Sequence, residues 1–97
     1  MTRLTNRVIS IYDRKTTMRL AAAEWHVLDN ICYLESMKRK HLLELIDQNR
    51  DKKIGFTPAV RLFSLLYLDG LSAKLKPHYG PIDNHKHLND ILQKLNL

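Results

Sequence analysis

Between Thr16 and Leu34 the apolar spacing changes from two residues to about 3.6, with no turn separating the two patterns. Thr16-Thr17-Met18-Arg19-Leu20 alternates, placing Met18 and Leu20 on one face and Thr17 and Arg19 on the other, as a half-buried strand does. Ala21–Leu34 then opens with Ala21, Ala22 and Ala23, all strong helix formers. Trp25, Leu28 and Cys32 fall on one side of that helix, and Val27, Ile31 and Leu34 on the adjoining side. A strand this short needs a pairing partner, and a stripe this wide must be buried on more than one side. An obligate dimer would satisfy both demands.

The flanking residues add elements of their own. Residues 7–12, rich in β-branched and aromatic types, read as a short strand. A hairpin from that strand into Thr16–Leu20 is a rival use of the second strand. Its connection, Asp13-Arg14-Lys15, lacks the Gly or Asn that tight hairpins favour. A second helix is predicted from about Lys38 to Gln48, with Leu42, Leu43, Leu45 and Ile46 inward. A third starts with Thr57 as N-cap and Pro58 in the first helical position, and Asp69-Gly70 ends it. Leu71–Asn84, with Pro77, Gly80 and Pro81, reads as an extended linker. His85–Leu97 carries Leu88, Ile91, Leu92 and Leu95 at helical spacing and needs a protein surface to pack on.

Composition limits the function classes. Ninety-seven residues make one domain, and 44% hydrophobic residues make it globular. No stretch approaches the roughly 20 apolar residues of a membrane span, so no membrane partner is expected. No apolar run follows the basic N-terminus as it would in a signal peptide. Cys32 is the only cysteine, which excludes an intrachain disulfide and suits a cytoplasmic location. The net charge of +6 suits a polyanionic partner. The charge is also clustered: Arg3, Arg7, Arg14, Lys15 and Arg19 stand against Asp13 alone in residues 1–20, and Lys38-Arg39-Lys40-His41 forms a second group.

The ordered set of patterns resembles the ribbon–helix–helix family of DNA-binding proteins, in particular a subgroup with a third helix after a polar loop. The residues that carry the likeness are Thr16–Leu20, Trp25 and Leu28, Leu42-Leu43-Glu44-Leu45-Ile46-Asp47, and Thr57-Pro58-Ala59-Val60-Arg61-Leu62-Phe63. The resemblance implies a mainly α fold: a dimer with an intersubunit two-stranded antiparallel β-ribbon, a third helix and a C-terminal helical extension. Residues 1–15 would be a basic arm or short strand, 16–69 the ribbon–helix–helix domain, and 70–97 the linker and tail helix.

The resemblance also implies roles. The ribbon would enter the major groove of double-stranded DNA, with Lys15, Thr17 and Arg19 facing base edges. Arg14, Lys38, Arg39 and Lys40 would contact phosphates, the last three at the start of the second helix. Met18, Leu20, Trp25, Leu28, Leu42 and Ile46 would form the dimer core. One departure stands out: where the family has a small joint residue, often Gly, and a Ser or Thr cap, this chain has Ser36 and Lys38. Lys38 has no acceptor with which to cap, and Ser36 is the alternative cap.

The function expected is a DNA-binding transcriptional regulator, a homodimeric repressor that occludes its operator, with higher oligomers on DNA as an extension. The alternative is an interaction module that has kept the fold and lost DNA binding. Neither an enzyme nor a cofactor is expected: there is no phosphate loop, nucleophile elbow or carboxylate pair. No metal site is expected, because His85 and His87 lie on different helix faces and no cysteine pair accompanies them.

Overall fold

In the computed structural model, residues 3–73 and 86–95 are described. The order is β1 (Leu4–Ile11), β2 (Arg14–Ala21), α1 (Ala22–Leu34), α2 (Arg39–Asn49), α3 (Phe56–Ala73) and α4 (Lys86–Lys94). No described helix is long and apolar enough to cross a membrane.

A two-stranded antiparallel ribbon lies over the helices, as expected, but both strands come from one chain. β1 pairs with β2 from Leu4 opposite Ala21 to Ile11 opposite Arg14. The connection is therefore the two residues Tyr12-Asp13, not Asp13-Arg14-Lys15. Both sit at positive φ, 49° and 61°, which a type I′ hairpin turn requires. Asp tolerates this region; Tyr does not. The strain at Tyr12 is offset by α2: its backbone N–H donates to Glu44 Oε2 (2.9 Å) and its hydroxyl to the Glu44 carbonyl (3.3 Å). A turn without glycine is thus held by tertiary contacts that local turn preferences do not report.

The ribbon runs directly into α1. Ala21 has no acceptor with which to cap that helix, but Glu24 Oε1 accepts the Ala21 N–H at 2.7 Å, which is half of a capping box. Trp25 Nε1 donates to the Thr5 carbonyl (2.9 Å), fastening β1 to α1. At the far end Ser36 stands at φ 52°, in the left-handed region. Its N–H reaches the Tyr33 carbonyl and the Met37 N–H reaches the Cys32 carbonyl, the pair of bonds of a Schellman motif. Ser36 therefore terminates α1 and does not cap α2. Lys38 is the N-cap of α2, with no side-chain cap bond.

α3 starts at Phe56, before the expected Thr57 cap, and continues through Asp69-Gly70 to Ala73. Gly70 serves packing here, not termination: a Cβ at this position would lie 2.2 Å from His87 Cε1. The expected linker overlaps the end of α3; its residues 74–84 lie outside the described residues, as do His85, Asn96 and Leu97 at the two ends of the expected tail helix. Leu88, Ile91, Leu92 and Leu95 are buried as the tail pattern requires, with α4 seated on α2 and α3 of its own chain.

One continuous core results. Ile9, Ile11, Met18 and Leu20 cover it from the ribbon, and Trp25, Leu28, Leu42, Leu43, Ile46 and Phe63 fill it from the helices. The six residues expected at a shared dimer core are thus all buried within a single chain. β1, α3 and α4 supply the cover that a second subunit was expected to provide.

Candidate nucleic-acid interface

Alternation along the hairpin sorts its side chains. Met18 and Leu20 face the core, as do Ile9 and Ile11 of β1. The outward face carries Lys15, Thr17 and Arg19 of β2, all exposed, opposite Ser10, Val8 and Asn6 of β1. The three residues expected to face bases therefore stand side by side on a solvent-facing surface. Arg19 is anchored across the ribbon, its Nε donating to Asn6 Oδ1 at 3.0 Å. Arg14 is exposed but in phase with the inward row, at the hairpin end near Tyr12 and Asp47.

The second basic group is divided by its surroundings. Lys38 is exposed at the start of α2. Arg39 is engaged: its Nη2 lies 2.6 Å from Asp29 Oδ1, its Nε 3.0 Å from the same atom, and its guanidinium 5.3 Å from the Trp25 ring centroid. Arg7 joins it, 5.0 Å from the same ring and 3.9 Å from Asp29 Oδ2. Trp25 is thus core on its buried body and a cation–π platform for two arginines. Lys40 pairs loosely with Asp13 at the hairpin tip, 3.4 Å away. That pair, with the Tyr12–Glu44 bonds, sets the first turns of α2 against the hairpin end of the ribbon.

Elsewhere the polar chemistry is structural. Tyr67 donates its hydroxyl to Glu35 Oε2 at 2.5 Å within the core. Burial first, and then the Glu35 bond and charge, push the phenol far above its usual range. Burial also pushes the Cys32 thiol up to about 11, with Asp29 adding and Arg39 opposing, so it is neutral and unreactive at pH 7. Among the described residues no group of His, Cys, Asp and Glu has the arrangement of a metal site.

Three residues of the outward face were not singled out from sequence: Asn6, Val8 and Ser10. Their signal was the alternation of Val8-Ile9-Ser10-Ile11, polar or exposed against apolar, in phase with Thr17-Met18-Arg19-Leu20. Arg7 and Asp29 carried no such signal, since only the fold brings them to Trp25.

The family model for the ribbon-helix-helix domain matches residues 4–68, which hold the hairpin and the first two helices with most of α3. No curated protein and no solved structure gives a match. The match spans well over half the chain and coincides with the ribbon, its outward basic face and the helices beneath it, so the chain belongs to the ribbon–helix–helix family, a family of DNA-binding regulators.

Proposed function

We propose that the protein is a sequence-specific transcriptional repressor, acting in the cytoplasm, that inserts its β-ribbon into the major groove and occludes an operator. One observation carries this reading: the ribbon buries Ile9, Ile11, Met18 and Leu20 on one face, while Lys15, Thr17 and Arg19 are exposed together on the other. Lysine and arginine donate to guanine O6 and N7; threonine can donate, accept or touch a thymine methyl. Arg14 at the hairpin end, and Lys38 and Lys40 at the start of α2, would then contact phosphates. Arg39 can join them only by leaving Asp29.

A homodimer fits the same reading. Leu20, Ala23, Val27, Val60 and Leu65 line an apolar groove of about 200 Å³ between α1 and α3, with Leu65 itself 66% exposed. A second copy covering this groove would pair two ribbons about a two-fold axis. The groove also favours the second reading, an interaction module that binds another protein there and no DNA.

Selection from random duplex DNA, followed by titration at several salt concentrations, decides between the two. Lys15→Ala, Thr17→Ala and Arg19→Ala should reduce discrimination between selected and random duplexes, by about 1–3 kcal/mol for a bidentate contact. Lys38→Ala should weaken both alike and lower the salt slope by about one unit. Arg39→Ala should do so less, because its charge is already balanced by Asp29. Wild-type-like binding by every variant, or no enriched motif, would leave the interaction module as the function. Sedimentation of the wild type at micromolar concentration tests the dimer.

A further inference from the structure

β1 stands directly opposite the strand that carries the base-reading residues, and three of its side chains share their face. The register sets Asn6 against Arg19, Val8 against Thr17 and Ser10 against Lys15. All six are exposed. Adjacent strands lie about 4.8 Å apart, and a major groove about 12 Å wide admits two of them. A hairpin that carried Arg19 to the base edges would therefore carry Asn6 with it.

The contact between these two residues has a chemical consequence. A guanidinium offers five N–H donors, one on Nε and two on each Nη. Asn6 Oδ1 takes the Nε donor at 3.0 Å. Side-on recognition, which uses Nε and one Nη together, is then blocked. The end-on pair, one donor from each Nη, remains and matches the O6 and N7 acceptors of guanine. The bond also removes rotamer freedom that an exposed arginine would otherwise lose on binding.

We propose that Asn6 is a specificity-determining positioning residue, fixing Arg19 for end-on recognition of guanine. The inference rests on the DNA-binding reading above. It assigns part of the recognition to the strand of the same chain that pairs with the reading strand.

The test measures the affinity of the full chain for a selected duplex and for that duplex with each base pair changed in turn. Arg19→Ala should flatten the preference at one G·C pair. Asn6→Leu should reduce the preference at that same pair about five- to tenfold, more than it changes affinity for random duplex. In the Arg19→Ala background, Asn6→Leu should have no further effect, a coupling that a merely structural role would not produce. Asn6→Asp keeps the acceptor, so it should preserve the preference while its charge weakens all duplexes alike. If Arg19→Ala flattens the preference and Asn6→Leu does not, or if Asn6→Leu acts equally without Arg19, the positioning role is wrong and the DNA-binding reading stands. If the wild type selects no motif, both fall together.

Discussion

Ser36 holds a left-handed conformation at the joint of α1 and α2, where both Schellman bonds depend on it. A non-glycine residue there bears a cost of about 1–2 kcal/mol that glycine avoids, partly returned through glycine's larger unfolded-state entropy. Ser36→Gly should therefore stabilise the fold by about 0.5–1 kcal/mol, read as an increased denaturant midpoint with an unchanged slope. Cys32 and Tyr67 make a second residue-scale expectation. Both have pKa values raised on folding, so the folded state binds their protons more tightly than the unfolded chain. Their contribution is fully present below the unfolded value and is lost as pH rises through the folded one. For Cys32 that window runs from the ordinary value of 9.0 to about 11. Stability should fall with rising pH across it, and Cys32→Val should make the fall shallower in denaturant titrations at successive pH values.

The hairpin is the element whose stability depends most on something outside itself. Tyr12 occupies a position that suits Asn or Gly, and Glu44 of α2 compensates. Glu44→Ala should cost about 1–2 kcal/mol, since a charged acceptor of a backbone N–H is lost. Replacing Tyr12-Asp13 by Asn-Gly in the Glu44→Ala background should recover most of that loss. Equal destabilisation with either turn would show that Glu44 acts elsewhere. The same element marks the limit of what the sequence makes legible. The two strands, the period change into α1, the inward faces of α1 and α2 and the tail stripe follow from hydrophobic spacing, except that Leu34, expected in the α1 stripe, is 44% exposed at the helix end. Pairing does not follow from spacing. The hairpin was set aside because its turn was read by its own residues, when Glu44, 32 positions away from Tyr12, holds it. The outward placement of Lys15, Thr17 and Arg19 was legible because alternation fixes their face. The engagement of Arg39 was not, because Asp29 and Trp25 meet it only through the crossing of α1 and the start of α2.

At the scale of the whole molecule, α4 is what makes the single-chain core complete, and its docking turns on the absence of one side chain. His87 lies against Gly70, its Nε2 donating to the Tyr67 carbonyl at 3.0 Å and its ring 4.7 Å from the Tyr67 ring. Tyr67 in turn reaches Glu35 at the end of α1, so one chain of contacts joins α1, α3 and α4. Deleting α4 would uncover the faces of α2 and α3 that Leu88, Ile91, Leu92 and Leu95 bury, each worth about 1.5–3 kcal/mol before ordering costs. Gly70→Ala is the finer probe, because two effects oppose. Alanine inside a helix gains about 1 kcal/mol over glycine. Its Cβ, however, would meet His87 Cε1 at 2.2 Å, and the ring cannot withdraw without losing its bond and its tilted contact with Tyr67. Overpacking of this kind costs about 1–3 kcal/mol, so the single substitution should destabilise on balance. In a His87→Ala background the obstruction is gone and only the helix gain remains, so Gly70→Ala should there become stabilising. A reversal of sign between the two backgrounds, measured by thermal unfolding, would place α4 against α3 in solution. Stabilisation by Gly70→Ala in both would mean that His87 does not pack on Gly70 and that α4 covers the core by another route.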